Sequence, residues 1–247
     1  MLNKTFTVII PSRLASTRLP HKPLAKIGDK SLIQRVYEKA IKTTANNVYI
    51  ATDADEIINH VKTFTNNVIM TSSSHISGTD RIHEAANNLN LAEDEIIVNL
   101  QGDEPFIPVD LINSLVTDFV NSSCDVGTVI NPFSDDEDVQ NINSVKVAIS
   151  NSYRALYFSR SQIPNDFTRK HPNFYRHIGI YAYQKSTLDR IVNLAPSKLE
   201  LSEKLEQLRF LENGYSISTT LYDADIPPGI DTPEDLQKAI DFIKYDN

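Results

Sequence analysis

Phe6-Thr-Val-Ile-Ile-Pro-Ser-Arg-Leu-Ala-Ser-Thr-Arg-Leu-Pro-His-Lys-Pro-Leu24 is the stretch from which the rest of the chain is read. Phe6 to Ile10 is a short apolar run rich in β-branched residues, the composition of a buried strand. It breaks at Pro11 into a loop carrying Arg13, Arg18 and Lys22 together with the hydroxyls of Ser12, Ser16 and Thr17. Three cations and three hydroxyls within eleven residues, between a strand and a helix, supply the charge neutralisation and donors that a polyphosphate needs at the carboxyl edge of a sheet. The loop is a candidate nucleoside-triphosphate cradle; the plain alternative is a solvated loop that balances an acidic surface. Neither the Gly-x-x-x-x-Gly-Lys nor the Gly-x-Gly-x-x-Gly pattern is present there, so P-loop and dinucleotide sites have no local support.

Downstream of the cradle, Ser31 is placed to cap a helix in which Leu32, Ile33, Val36, Tyr37, Ala40 and Ile41 recur at helical spacing. Asn47 to Ala51 forms a second strand, Asp55 to Thr65 a helix and Val68 to Thr71 a third strand. This β-α-β-α-β series predicts a parallel sheet covered by helices. Thr71 to Arg81 (TSSSHISGTDR) is rich in hydroxyls, and Ser77, Gly78 and Thr79 open the next helix, either as a simple cap or as donors toward an anion or a base.

A fourth strand, Glu95 to Leu100, ends in Gln101-Gly102-Asp103-Glu104-Pro105. An acidic residue at the carboxyl end of a buried strand, with glycine allowing close backbone approach, is a common way to hold magnesium beside phosphates. A turn is the other reading, and the expected proximity of the basic cradle favours the metal.

Beyond the acidic run Pro132 to Asp138 the alternation becomes less regular. Val145 to Ile149 and Ala155 to Ser159 are strands, Arg160 stands at a strand end, and Ile163 to Asn173 is a polar, proline-bearing loop. In Tyr175 to Tyr183, strand alternation puts His177, Gly179, Tyr181 and Tyr183 on one face, where the imidazole is either a structural residue or a donor toward a polyhydroxylated acid. Lys198 to Asn213 is a helix closed by Gly214, with Leu201, Leu205 and Leu208 on its buried stripe and Glu206, Gln207 and Arg209 beside them. Ser216 to Leu221 is a strand. In the last segment Thr232 caps a helix, Pro233 takes its first position and Asp235 completes a capping box. Asp231, just before that cap, is a second metal ligand or a turn residue.

Composition bounds the function. The 247 residues are 40% hydrophobic and 23% charged, ordinary values for a globular protein with length for one large α/β domain or one domain with a smaller lobe. A net charge of -8 argues against a nucleic-acid partner, while a small anion remains compatible if the cations gather in one cleft. No run approaches the length of a membrane span, the start is too short for a signal peptide, and the single Cys124 fits a reducing compartment, so a cytoplasmic protein is expected. No Cys/His cluster has zinc spacing and no Gly-x-Ser-x-Gly elbow is present.

Six motifs, in order and across nearly the whole chain, carry a resemblance: Arg13 to Leu24, Ser77 to Arg81, Val98 to Pro105, Ala155 to Arg160, Lys204 to Arg209 and Gly229 to Asp235. Together they are similar to the 3-deoxy-manno-octulosonate cytidylyltransferases of lipopolysaccharide synthesis. The resemblance implies a Rossmann-like parallel or mixed sheet with helices on both faces, of the nucleotide-diphospho-sugar transferase type, with a smaller lobe for sugar binding and dimerisation. It implies one nucleotidyltransferase domain: 1–131 mainly for the nucleotide, 132–222 mainly for the sugar and the homodimer, and 223–247 returning with the metal-ligand turn. The substrates implied are CTP and 3-deoxy-manno-octulosonate (Kdo), the cofactor Mg2+. By the same resemblance Arg13, Arg18 and Lys22 hold the triphosphate, Asp103 and Asp231 bind magnesium, and Ser77, Gly78, Thr79, Arg81 and Gln101 lie against the nucleotide. Arg160, His177, Tyr181, Glu206 and Gln207 would contact the sugar acid. His21 stands where glycine is common in this family, and a positive φ there would strain the loop. Cytidylyltransferases for the 8-amino sugar or another acidic sugar are the near alternatives. A glycosyltransferase and a nucleotide-binding module without turnover are the distant ones.

Overall fold

The computed structural model describes residues 5–134, 138–167 and 174–245; part of the acidic run (135–137) and of the proline-bearing loop (168–173) lies outside them. The chain forms two compact units, Met1–Asn113 with Ile226–Asn247, and Ser114–Asp225.

The first unit begins with strand β1 (Phe6–Ser12), a small hairpin of β2 (Lys26–Ile27) and β3 (Lys30–Ser31), and helix α1 (Leu32–Ala40). Strand β4 (Asn47–Thr52), helix α2 (Asp55–Val61), strand β5 (Val68–Met70), helix α3 (Gly78–Asn88) and strand β6 (Ile96–Asn99) follow. The strands pair in the order β6-β1-β4-β5 and every pairing is parallel. Successive residues Phe6 to Ile10 of β1 are all buried, so both faces of this strand are covered, as in a parallel sheet layered with helices. β1 lies between β4 and β6, the point where the strand order turns back. In an open α/β sheet that point opens a crevice at the carboxyl ends of the strands.

β1 runs two residues past the expected break. Its pairing with β6 ends at Ile9↔Asn99, so Pro11 lies beyond that ladder, where its missing N–H costs nothing on that edge. Ser31 caps α1 by accepting from Gln34 N at 3.3 Å, and Leu32, Ile33, Val36, Tyr37 and Ala40 form the buried stripe. Ile41 sits at the helix C-terminus and is exposed, so it leaves the expected stripe. α2 ends at Val61 rather than Thr65.

Helix α4 (Val109–Asn121) is additional to the elements expected from sequence; its Leu111, Ile112, Leu115, Val116 and Phe119 are buried. The second unit then holds β7 (Val126–Pro132), β8 (Lys146–Ile149), β9 (Ala155–Ser159), β10 (Tyr175–Gln184), α5 (Lys185–Ile191), α6 (Lys198–Glu203), α7 (Gln207–Glu212) and β11 (Ile217–Leu221). β11 pairs parallel with β7, β7 antiparallel with β10, and β8 antiparallel with both β10 and β9.

Two expectations change here. The register of β10 against β7 shifts between Ile178 and Tyr181, and this bulge breaks the simple alternation from His177 to Tyr183. The helix expected over 198–213 is two helices, because Lys204 adopts a left-handed conformation at φ 56°. That cap stops the first stripe, so Leu201 is exposed while Leu205 and Leu208 are buried. The chain returns to the first unit with α8 (Pro233–Tyr245). Its capping box forms as expected: Thr232 Oγ1 accepts from Asp235 N at 3.1 Å and Asp235 Oδ2 accepts from Thr232 N at 3.0 Å.

Candidate active site

The carboxyl ends of β1 and β6 border a cavity of about 370 Å³. Ser12 lines it from the end of β1, Arg13, Ser16, Thr17, Arg18 and Lys22 from the segment after β1, Ser77, Gly78 and Arg81 from the cap and first turn of α3, Gln101 and Asp103 from the loop after β6, and Asp231 from the turn before α8. Two glycines let these segments approach. A Cβ on Gly102 would stand 2.9 Å from the carbonyl oxygen of Pro11, and one on Gly229 would stand 2.9 Å from Glu104 Oε1. Ile230 N then donates to Asp103 O at 2.9 Å, which draws the turn carrying Asp231 against the end of β6.

The charges in this cavity are arranged around one lysine. Lys22 Nζ donates to Asp103 Oδ2 and to Asp231 Oδ1, each at 2.7 Å, and Arg18 Nη2 pairs with Asp231 Oδ2 at 3.0 Å. Burial pulls the Lys22 pKa down, but the two carboxylates outweigh it, so the ammonium titrates above the ordinary lysine value. Among the described residues no three His, Cys, Asp or Glu gather as a metal cluster. Two carboxylates from separate segments converging on one cation are nevertheless a donor set that suits magnesium, which takes one or two carboxylates and completes its shell with phosphate oxygens and water. Ser12 Oγ is buried with no hydrogen-bond partner among the described residues, an unspent donor in the cavity wall.

Other expected positions are more constrained. Ser77 caps α3 in a full capping box with Asp80, so its hydroxyl accepts from Asp80 N at 3.1 Å. The Arg81 guanidinium donates to Thr71 Oγ1 at 2.6 Å and to Asp53 Oδ2 at 2.7 Å, which pins the loop behind the cavity. Thr79 is buried in the first turn of α3 and does not line the cavity. Gln101 Nε2 donates to Asn99 Oδ1 at 2.9 Å.

The second expected set lies in the second unit. His177 Nε2 bonds Thr128 Oγ1 at 2.9 Å. The single hydroxyl proton of Thr128 goes to the carbonyl of Ile180 at 2.8 Å, so the imidazole must be the donor and carries its proton on Nε2. Its Nδ1 then accepts from Gln207 Nε2 at 3.4 Å. The ring contacts Phe158 at 4.9 Å and Tyr181 at 5.5 Å between centroids, and burial lowers its pKa to about 3. Burial first, then Glu206 and Tyr183, raise the Tyr181 phenol well above its usual range. Arg160 Nε donates to Glu203 O at 2.8 Å, Nη1 to Ile142 O at 2.9 Å and Nη2 to Lys204 O at 3.4 Å. A guanidinium has five N–H groups, so two have no acceptor among the described residues.

Residues 7–218 match the family model described as Cytidylyltransferase. The 3-deoxy-manno-octulosonate cytidylyltransferase of Bacteroides thetaiotaomicron is 45% identical over 97% of this chain and 98% of its own length. That of Parabacteroides distasonis is 46% identical over 96% and 98%. The chain belongs to the 3-deoxy-manno-octulosonate cytidylyltransferase family. A solved structure, a CMP:2-keto-3-deoxy-manno-octonic acid synthetase complexed with CTP, superposes at a TM-score of 0.93 with 36% identity, covering 99% of this chain and all (100%) of that one.

As a cytidylyltransferase of this family the chain is a nucleotidyltransferase, and its cavity has walls that sequence reasoning passed over. His75 and Ile76 line it, from within the hydroxyl-rich loop ahead of α3. His75 pairs with Glu84, which also accepts from Ser72 N at 2.9 Å. A signal was present, since His75 and Glu84 both fall on or beside the segment singled out for its hydroxyls. His21 has φ 52°, a left-handed conformation unfavourable for a residue with a Cβ.

Proposed function

We propose that the chain transfers CMP from CTP to 3-deoxy-manno-octulosonate, giving CMP-Kdo and pyrophosphate with magnesium as cofactor, as a step of lipopolysaccharide synthesis. The observation that carries this reading is the meeting of Arg18 and Lys22 with Asp103 and Asp231 in one cavity at the carboxyl ends of parallel strands. Cations for a triphosphate and carboxylates for its metal are what a nucleotidyl transfer requires together.

In this reading the anomeric C2 hydroxyl of the sugar acid attacks the α-phosphorus in line and pyrophosphate departs. The displacement needs positioning and charge stabilisation rather than a covalent enzyme intermediate. Arg13, Arg18 and Lys22 neutralise the triphosphate and the leaving pyrophosphate, and the unspent Ser12 hydroxyl offers a donor beside them. Asp103 and Asp231 would hold magnesium, which supplies neutralisation of phosphate charge and acidifies the attacking hydroxyl. Arg160 takes the carboxylate of the sugar acid through its two remaining N–H groups. His177 is neutral, with its proton committed to Thr128, so it contributes shape and hydrogen bonding and leaves the charge to Arg160.

A homodimer is part of the proposal. Helix α6 buries none of its side chains and exposes Leu199 and Leu201, an apolar surface suited to a second copy. Among the described residues no helix is long and apolar enough to cross a membrane, and a cytoplasmic setting accords with the lone Cys124.

The test is pyrophosphate release, with each of the four nucleoside triphosphates offered against the octulosonate, its 8-amino analogue and sialic acid, with and without magnesium. Release with CTP and the octulosonate alone supports the proposal. Release with another acid reassigns the sugar, and silence throughout from folded protein rejects transfer.

A further inference from the structure

Lys146, on β8, has no part in the reaction described above, yet it is the most unusual cation in the second unit. Its side chain is completely buried, at 0% exposure. Its ammonium donates to two carbonyls, that of Asn141 at 2.9 Å and that of Arg160, and no carboxylate bonds it among the described residues. A buried charge held by neutral acceptors alone is costly, and an uncharged side chain in its place would avoid that cost. Burial holds the Lys146 pKa below the usual lysine value, Asp138 and Glu203 oppose that shift, and Arg160 adds to it.

The two carbonyls are not arbitrary. Lys146 grips Asn141 O while Arg160 Nη1 grips the next carbonyl, Ile142 O, so one turn is held by both cations. Lys146 also holds the main chain of Arg160 itself, whose N–H donates to Glu203 Oε2 at 2.9 Å. The other Arg160 anchors, Glu203 O and Lys204 O, lie at the left-handed break between α6 and α7, immediately before Glu206 and Gln207. The direction of the two unspent guanidinium N–H groups is therefore tied to Lys146 at two points, the Arg160 main chain that it holds and the Ile142 carbonyl next to the Asn141 carbonyl that it holds. Its charge also adds positive potential next to the guanidinium, as the mutual effect of the two cations on the Lys146 pKa shows in direction.

We propose that Lys146 is a positioning residue for the sugar acid: its buried ammonium fixes the 141–142 turn and the Arg160 main chain, and so aims the guanidinium at the substrate carboxylate. The inference rests on the reading of Arg160 as that carboxylate's partner. A purely structural lysine would have lowered stability as its only signature.

Lys146→Met and Arg160→Ala are compared with the parent enzyme, measuring KM separately for CTP and for the octulosonate together with circular dichroism. Lys146→Met is expected to raise KM for the sugar acid about tenfold and leave KM for CTP within about twofold, the loss of one well-aimed charge-assisted contact. If the methionine variant does not fold, Lys146→Gln, which keeps a donor but no charge, carries the same comparison. A folded variant with a parental KM for the sugar acid, or with both constants raised alike, overturns the positioning role. If Arg160→Ala itself leaves the sugar KM unchanged, the carboxylate reading falls and the proposal with it; if it raises that KM and the Lys146 variants do not, only the proposal fails.

Discussion

Asp103 and Lys22 show how little of a site is visible one residue at a time. Each is an ordinary charged residue, and only the 2.7 Å contacts of Lys22 with Asp103 and Asp231 turn three of them into a unit. Asp103→Asn is expected to lower turnover about a hundredfold or more, because the amide neither binds a divalent cation well nor holds the ammonium. Steady-state rates beside an unchanged circular dichroism spectrum check it, and near-parental rates would remove Asp103 from the metal site. His177 offers a test of a different kind. With a folded pKa of about 3 against 6.5 for a free imidazole, it stays neutral in the fold while the unfolded chain takes up a proton. Its depressed pKa therefore costs nothing above pH 6.5, and stability falls as the pH drops from there toward 3, by at most about 1.4 kcal/mol per unit. Urea unfolding between pH 7 and 5 is expected to show a shallower decline in His177→Gln than in the parent; parallel profiles would mean that the imidazole titrates normally. The cations and hydroxyls of the cradle were legible because they crowd one loop. The left-handed φ of His21 was expected only on the strength of the resemblance, and the commitment of Arg81 to Thr71 and Asp53 was not legible at all, since it depends on residues brought close by folding.

At the scale of elements, the parallel strands and the caps were readable because their signals are local. The Ser31, Ser77 and Thr232 caps each rest on a hydroxyl and a neighbour three residues on. The break between α6 and α7 was not readable, because Lys204 has good helix propensity and nothing local announces its left-handed φ. The β10 bulge is similar, being set by the partner strand β7. One cap bears directly on the chemistry: Asp231 N donates to Asp235 Oδ2 at 3.1 Å, inside the box that Thr232 completes. Thr232→Ala is expected to cost about 1 kcal/mol of stability and to raise the magnesium concentration needed for half-maximal rate, since the turn holding Asp231 loosens. Thermal unfolding and a magnesium titration of the rate read the two effects. A loss of stability with an unchanged magnesium requirement would confine Thr232 to the helix.

For the molecule as a whole, a net charge of -8 coexists with a cavity into which Arg13, Arg18 and Lys22 are gathered, so the global balance hides the local one. The alternation of strand and helix disclosed the first unit, whose order β6-β1-β4-β5 puts the cradle and the Asp103 loop at neighbouring strand ends. Among the described residues the second unit is antiparallel except for β7 with β11; β8 and β9 pair as a local hairpin, whereas the pairings of β7 with β10 and with β11 join segments distant in sequence, which no local pattern encodes. The candidate nucleotide residues fall in the first unit and the candidate sugar residues in the second. The most direct test follows the phosphorus that would change partners: CTP labelled with 32P at the α position is incubated with the octulosonate, magnesium and the enzyme, and the labelled products are separated. Label moving into a CMP-sugar, with unlabelled pyrophosphate released in equal amount, is the expected result. Label recovered as free CMP, or left in CTP by folded enzyme, would contradict nucleotidyl transfer to the sugar acid.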